Sequence, residues 1–468
     1  MHCLHVFARG TLGKVGLHRG VCEAPALIGG DRRARKRRNR QKQPSQNPQR
    51  RHERLHITAV ALGVGGSLAL TGQPSLADER AHPRDASSVL SASPNDSAPA
   101  SRASVSKATA EFAAYTDTNA VTVFTPSLRA QTASPYGAWS AEGHYLADIV
   151  TAASVDIVTS ASPRWTEVRH EAGLAATYRP GPTSFTARAQ VSSEPDYLSL
   201  GAGLRLDGQL AGKRFNPLLI YSLAHDTAGR TGTPFSVYSK KLWRHDLAVG
   251  AEMILDRRTT LQVVLDSVFE LGDAADPYRY LPLFAPDVAP RIQPGASLAT
   301  VNELRLPGRI DERVPGERIR ISLSGRLARR FRHSTAIFAE RLYADDWGLF
   351  ATSSEGRWLT DIGEHWTLWL TGRLHGQTGV SFWKRAYEAS IDDGVLSVPT
   401  YRSGDRELGP LLSGTLGLGA RFAFELGRQV GPWSITAQFD ETATSFRDAL
   451  YVAGRLAHLG IIDFEGDF

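Results

Sequence analysis

His225 and Asp226 are the first candidates for chemistry, because a histidine beside a carboxylate is a common acid–base pair. A catalytic pair must meet in space, however, and neighbouring residues on a β-strand point to opposite faces. We therefore favour a loop-capping role for Asp226, above Thr227 and Gly229. An acid–base pair of His225 and Asp226 in a hydrolase is the alternative.

Four acidic residues offer oxygen ligands for a divalent cation: Asp345, Asp346, Asp405 and Glu407. They are far apart in sequence, and nothing in the pattern fixes their geometry. The nine histidines after residue 77 show no H-x-x-x-H or H-E-x-x-H spacing, and no G-x-S-x-G occurs. The cysteines are Cys3 and Cys22, which excludes a disulfide framework for the rest of the chain. We predict no metal, no cofactor and no assigned catalytic residue.

Apolar and polar residues alternate with a period of two almost everywhere after residue 108. In one example, Leu198, Leu200 and Ala202 alternate with Ser199 and Gly201. Such alternation predicts β-strands with one apolar face. We count about sixteen segments, with fourteen as the alternative: 109–117, 120–131, 141–158, 166–178, 183–193, 197–209, 214–225, 236–255, 259–271, 318–329, 334–345, 347–361, 365–378, 410–425, 432–444 and 449–468.

Short and long connections alternate between these segments. Seven are short, such as RPGP and DRR, and the others include long loops at 226–235, 272–317 and 379–409. An even strand number with tight turns at one end and long loops at the other predicts an all-β fold, a closed antiparallel transmembrane β-barrel. Both chain ends then lie on the short-turn, periplasmic side. A soluble secreted β-sandwich or β-solenoid is the alternative.

The formal net charge of +6 is unevenly distributed. Residues 1–77 carry 14 Lys and Arg against 3 acids, whereas the remaining 391 residues carry 40 basic and 45 acidic residues. Residues 57–70 are uncharged and mostly apolar, and small residues precede a cleavage site after Ala77. This pattern predicts a basic leader and signal peptide over 1–77, and it assigns the basic excess to export rather than to nucleic acid. No apolar run reaches the length of a membrane-spanning helix.

The predicted domain organisation follows from composition. Residues 78–108 are rich in Ser, Ala and Pro, so a flexible segment precedes an outer-membrane barrel over 109–468. The chain ends in Phe468, with Gly466, Phe464 and Ile462 at alternate positions, which resembles the assembly signal of bacterial outer-membrane proteins except at the glycine. Aromatic residues near segment ends fit the girdles of a barrel: Trp165, Tyr178, Tyr197, Trp243, Trp347, Trp358, Trp366 and Trp433.

Several short strings occur in order along residues 110–468. They are ASVD at 153–156, ASPRW at 161–165, EPDYLS at 194–199, HDTAGRTGTP at 225–234, PYRYLP at 277–282, ERLY at 340–343, DWG at 346–348, QTGVSFW at 377–383 and GDRELGP at 404–410. With these strings the chain resembles the family of predicted bacterial outer-membrane proteins known as domain of unknown function 3570. The resemblance implies an outer-membrane barrel and no established activity.

All of these strings fall at the long-loop end of the predicted barrel. We therefore expect the shared function at the extracellular rim, with these candidates: His225, Asp226, Arg230, Tyr278, Arg279, Tyr280, Asp346, Trp347, Asp405, Arg406 and Glu407. Arginines on polar strand faces predict a charged lumen that tunes which solutes pass: Arg205, Arg320, Arg326, Arg373 and Arg421. Salt-bridged packing that merely closes the barrel is equally compatible with these arginines.

The leading hypothesis is a passive channel or solute-uptake pore in the outer membrane of a Gram-negative bacterium, with the loops at 272–317 and 379–409 constricting its mouth. A rim hydrolase acting on lipid or peptide, and a structural or surface-interaction barrel, are the alternatives. The expected partners are outer-membrane lipid, the barrel-assembly machinery through the C-terminal strand, and a small solute in the lumen.

Overall fold

The computed structural model describes residues 104–152, 165–392, 395–426 and 431–468. The predicted leader, its cleavage site at Ala77 and most of the 78–108 segment lie outside these residues, as do the strings at 153–156 and 161–164. Among the described helices, none is long and apolar enough to cross a membrane.

Sixteen strands form one closed antiparallel barrel, which confirms the predicted fold and strand number. In chain order they are β1 Val105–Asp117, β2 Val121–Ala133, β3 Trp139–Ala152, β4 Trp165–Tyr178, β5 Thr183–Glu194, β6 Tyr197–Gly208, β7 Phe215–Ala228, β8 Lys240–Asp256, β9 Thr259–Gly272, β10 Glu317–Arg330, β11 Ser334–Asp345, β12 Phe350–Ile362, β13 Trp366–Gln377, β14 Leu411–Glu425, β15 Pro432–Phe446 and β16 Gly454–Asp467. The first strand pairs with the last over Lys107↔Asp467 to Asp117↔Ala457, so the barrel leaves no open edge.

The barrel wall is apolar on the outside and polar on the inside. Leu174, Leu374 and Leu416 point outward and are 71%, 67% and 70% exposed. Polar side chains on the inward face are buried instead, among them Asp148, Ser322 and Ser434. This inversion of an ordinary globular protein is typical of a wall that faces lipid.

The two ends of the barrel differ as the sequence predicts. The short-turn end has compact connections such as 257–258 and 363–365. The long-loop end carries connections over 229–239, 273–316 and 378–410. It also has tight turns, at 118–120, 195–196 and 346–349, so not every connection at this end is long.

The two longest connections contain most of the remaining secondary structure. Helix α1, Leu298–Leu304, begins where the Ser297 hydroxyl accepts a hydrogen bond from the Thr300 amide. Two-residue strands pair within and between the connections, Tyr280–Leu281 with Ile310–Asp311 and Leu283–Phe284 with Tyr387–Glu388. The other short elements are Ser390–Asp392, Val395–Ser397, and 3₁₀ turns at Ala289–Arg291 and Arg406–Leu408.

Candidate functional site: the lumen and its loop cap

The connections at the long-loop end pack into a single structure, which we call the loop cap (residues 273–316, 378–410 and 447–453). Its core is fully buried: Phe284 and Val301 are 0% exposed, and Ile292 is 1% exposed. Residues from all three connections share this apolar core. Burial on this scale stabilises a defined conformation, so these loops are an ordered part of the fold.

The loop cap joins distant sides of the barrel mouth. The Gly295 amide donates a hydrogen bond to the Ala449 carbonyl (2.8 Å), and the Tyr451 amide donates to the Ala296 carbonyl (3.1 Å). These contacts link the β9–β10 connection to the β15–β16 connection, six strands away around a wall of sixteen. At ordinary strand spacing and tilt this separation is roughly 25 Å. The longest connection therefore reaches across the mouth.

Arg279 lies at the centre of the loop cap among three carboxylates. Its guanidinium is 3.1 Å from Glu312, 3.2 Å from Asp405 and 3.6 Å from Asp276. Ser403 donates a hydrogen bond to Glu312 (2.5 Å), and the Asp276 amide donates to the same carboxylate (2.8 Å). The cluster thus ties the 273–316 connection to the 378–410 connection.

The burial of this cluster shifts the pKa values of its ionisable side chains. Burial raises the pKa of Asp405 to about 6, against the opposing effect of Arg279, and Glu312 and Glu407 raise it further. Burial likewise raises the pKa of Asp276. Burial alone would lower the pKa of Arg279, but Asp405, Glu312 and Asp276 raise it, so the guanidinium stays charged.

Tyr278 and Arg230 attach the loop cap to other connections. The Tyr278 hydroxyl donates a hydrogen bond to Asp196 and accepts one from the Thr231 amide (2.6 Å). Arg230 donates to the Pro277 carbonyl (3.0 and 3.2 Å) and stacks on the Tyr238 ring at 4.3 Å. These rim residues hold the cap in place rather than standing free at the surface.

The other predicted rim residues are also engaged. Asp346 accepts a hydrogen bond from the Ile319 amide (2.9 Å), and the Trp347 indole donates to the Glu317 carbonyl (2.8 Å). Glu407 pairs with Arg455 at 3.1 Å, and Arg406 lies 5.5 Å from the Phe446 ring. Tyr280 differs from them, being 39% exposed.

His225 and Asp226 do not form a pair. His225 faces outward and stacks on Trp243 at 4.2 Å, whereas Asp226 faces inward, pairs with Arg244 and accepts a hydrogen bond from Ser199 (2.6 Å). The predicted loop-capping role of Asp226 is wrong, because β7 continues to Ala228 and places Asp226 within the strand. The Gly229 amide instead donates to the Asp196 carbonyl (2.7 Å).

Two of the predicted girdle residues also point elsewhere. Tyr197 lies on the inward face of β6 and is 8% exposed. Trp347 packs against Phe382, with the ring centres 5.4 Å apart, beside the loop cap. Outward-facing aromatics do occur near strand ends, at Tyr178, Trp243, Trp358 and Trp366.

The structure does not assemble the four acids considered as cation ligands. Asp345 pairs with Arg318 at 2.5 Å, and Asp405 belongs to the Arg279 cluster. Within the described part of the chain, the group of acidic side chains close enough to share an ion is Glu167, Glu194 and Asp196, whose carboxylate oxygens lie within 4.8 Å of one another. Asp196 is already bonded to Tyr278 and Thr231.

The five predicted lumen arginines all lie on the inward face, but their surroundings differ. Arg205 pairs with Asp207 at 2.6 Å, Arg320 pairs with Glu270, and Arg421 lies 3.6 Å from Glu465. Arg326 shares its strand face with Arg320. Among the described residues, Arg373 has neither a hydrogen-bond nor an ion-pair partner.

Register and alternation show that the inward face is divided by charge. The five strands β10–β14 form a basic sector, in which eight arginines outnumber four acids. The arginines are Arg318, Arg320, Arg326, Arg330, Arg341, Arg357, Arg373 and Arg421, and the acids are Asp345, Glu355, Asp361 and Glu425.

The six strands β15, β16 and β1–β4 form an acidic sector, in which ten acids outnumber four bases. The acids are Glu111, Asp117, Glu142, Asp148, Glu167, Glu171, Asp440, Asp463, Glu465 and Asp467, and the bases are Lys107, Arg129, Arg169 and Arg455. The predicted lumen charges were all arginines, and this acidic excess was not predicted, although the same alternation of residues contains it.

The packing around β16 explains why position 466 is a glycine, the one residue that departs from the C-terminal assembly signal. Trp433 is the register partner of Gly466, and its indole lies so close that a Cβ at Gly466 would be 2.6 Å from the ring. Phe468 packs edge-on against the same indole at 5.3 Å. Trp433 therefore supplies the apolar cover that a side chain at position 466 would otherwise give.

The chain is similar, at a low level, to several solved bacterial proteins. A bacterial polysaccharide outer membrane secretin is 8% identical, with a TM-score of 0.42, over 79% of this chain and 99% of its own. OccK5 (OpdH) and opdK of Pseudomonas aeruginosa are 9% and 7% identical, with TM-scores of 0.36 and 0.37. They cover 78% of this chain each, and 98% and 99% of their own chains.

No curated protein matches the chain. The family model described as a protein of unknown function, DUF3570, matches residues 86–462. This range includes β1 to β15, the first part of β16 and the whole loop cap. The chain therefore belongs to the DUF3570 family.

Proposed function

We propose that the protein is an outer-membrane channel for small hydrophilic solutes, whose outer mouth is restricted by the loop cap. The observation that carries this proposal is the closed sixteen-stranded wall with an apolar outer face and a charged inner face. A barrel of this strand number is wide enough to hold an aqueous lumen. A charged inner face suits water and polar solutes and would be costly against lipid.

The proposed location is the outer membrane of a Gram-negative bacterium, reached with the signal peptide over 1–77. Outer-membrane lipid would contact the outward leucines, and the barrel-assembly machinery would act on the strand that ends in Phe468. The loop cap would then face outward, because both ends of the barrel domain lie at the short-turn end.

The loop cap argues for restricted passage rather than a wide pore. It spans the mouth and has a buried core of its own, so a solute must pass beside it. The alternative of a rim hydrolase gains no support from His225 and Asp226, whose side chains lie on opposite faces of β7.

Swelling of vesicles that contain the refolded full chain tests this function. Neutral sugars of increasing size should enter at decreasing rates, with a pentose entering and a tetrasaccharide excluded. Vesicles that swell no faster than empty ones with any sugar would contradict the proposal, provided the barrel migrates as folded protein in unheated gels.

A further inference from the structure

The boundary between the basic and acidic sectors holds two opposite charges that do not meet. Arg373 on β13 belongs to the basic sector, and Asp440 on β15 belongs to the acidic sector. Between them, β14 presents small residues to the lumen, Thr415 opposite Arg373 and Gly417 opposite Asp440. Two strand spacings across the wall, about 10 Å, and an offset of two residues along it, about 7 Å, place the backbones of Arg373 and Asp440 roughly 12 Å apart.

The side chain of Asp440 points toward this strip of small residues. A Cβ on Gly417 would collide with the Asp440 carboxylate, so the carboxylate lies directly over that glycine. The Oδ1 atom of Asp440 is the oxygen nearest Gly417, and Gln438 donates a hydrogen bond to the Oδ2 atom (2.6 Å). The negative charge is therefore held over β14, on the side from which Arg373 approaches.

Arg373 lacks a counter-charge on its own side of the strip. The described residues give it neither a hydrogen bond nor an ion pair, although Glu355 is its register partner on β12. Glu355 lies instead 4.0 Å from Arg357. A guanidinium with free donors binds a carboxylate through paired, charge-assisted hydrogen bonds.

Arg373 and Asp440 also lie below the loop cap, on the path of a solute through the lumen. Gln377, four residues above Arg373 on the same strand face, donates hydrogen bonds to the Glu407 and Gly409 carbonyls of the cap (2.6 and 2.8 Å). His375 lies between them and is hydrogen-bonded to Ser353 (2.7 Å). A solute that passes beside the cap thus meets Arg373 next.

From this arrangement we infer that Arg373 and Asp440 form a binding site for small zwitterionic solutes, with the carboxylate at Arg373 and the ammonium group at Asp440. The inference rests on the proposed channel function and names its solute class. A neutral solute of the same size makes neither ion pair. A simple anion pairs with Arg373 but faces the acidic sector, and a simple cation pairs with Asp440 but faces the basic sector.

Vesicle swelling with two isomeric probes tests the site. Glycine is a zwitterion at neutral pH, and glycolamide has the same atoms without charge. We expect glycine to enter wild-type vesicles ~3-fold faster or more than glycolamide. Arg373→Gln and Asp440→Asn should each bring the ratio of the glycine and glycolamide entry rates close to that of an uncharged pore. Arg373→Lys should keep part of the preference for glycine.

Two exposed positions provide matched controls, Arg332→Gln in a short turn and Asp287→Asn in the cap, and neither should change the ratio. Equal entry of the two probes into wild-type vesicles would overturn the site, as would a glycine preference that survives both lumen substitutions. Failure of both probes to enter at all would instead contradict the channel function itself.

Discussion

The hydroxyl of Tyr278 donates a hydrogen bond to the carboxylate of Asp196, although the two residues are 82 positions apart in sequence. Asp196 lies in the tight turn between β5 and β6, and Tyr278 lies in the connection that follows β9. This contact attaches the 273–316 connection to the rim on the side away from its contacts with Ala449 and Tyr451. Attachment on both sides accounts for an ordered cap over a wide mouth.

Replacing Tyr278 with phenylalanine should loosen this side of the loop cap. The substitution leaves Asp196 and the Thr231 amide without the hydroxyl, at a cost of about 1–3 kcal/mol. Limited proteolysis of the folded barrel should then cut the 273–316 connection faster, while the barrel stays folded. Tyr280→Phe is the control, because its exposed hydroxyl makes a long 3.4 Å contact with Arg230. Equal cleavage of Tyr278→Phe and wild type would show that the contact does not hold the cap.

The Arg279 cluster should make the loop cap more stable in mild acid. The pKa of Asp405 is raised to about 6 in the folded cap, and that of Asp276 is also raised, so the folded state binds protons more tightly than the unfolded state. The resulting stability is fully present below the unfolded pKa, near 4, and is lost as the pH rises through about 6. Amide hydrogen exchange around Gly404 should therefore slow between pH 7 and pH 5, after correction for the intrinsic rate.

Asp405→Asn should remove most of this pH dependence, because the amide cannot ionise. Asp287→Asn, at an exposed position of the same cap, should retain it. Protection that falls on acidification of the wild type would contradict the sign derived from the buried carboxylates.

Gly466 should be intolerant of any side chain while Trp433 is present. An added Cβ would lie 2.6 Å from the indole, which either displaces the ring or strains the pairing of β15 with β16. Gly466→Leu should lower the yield of heat-modifiable, folded barrel in vesicles, with a cost of about 1–3 kcal/mol. The double change Gly466→Leu with Trp433→Ala should recover folding, and no recovery would mean that the indole is not the obstacle.

Sequence alternation predicted the wall almost completely, because lipid outside and water inside impose opposite polarity on successive residues. The same pattern placed Arg320, Arg373 and the other lumen arginines on the correct face. It failed where tertiary contacts decide: Asp226 was assigned to a loop because the end of β7 is set by its pairing with β8. Trp347 was assigned to a girdle because its packing partner Phe382 is 35 residues away along the chain.

The loop cap was the least predictable part of the fold. Local sequence marks 273–316 as a long connection rich in proline, but its structure depends on partners such as Ser403 and Ala449 in other connections. Arg279 was named as a candidate without any sign that Asp276, Glu312 and Asp405 would surround it. Such contacts between remote loops leave no periodic signal in the sequence.

Single-channel conductance in planar bilayers, compared between the wild type and Arg279→Ala, most directly tests whether a loop cap restricts a conducting barrel. Removing the guanidinium leaves three buried carboxylates without their counter-charge, which should destabilise the cap by about 3–5 kcal/mol. We expect small conductance steps for the wild type and clearly larger steps for Arg279→Ala, with the exposed Arg291→Ala behaving as wild type. Identical conductance in all three proteins, or none in any of them, would contradict this expectation.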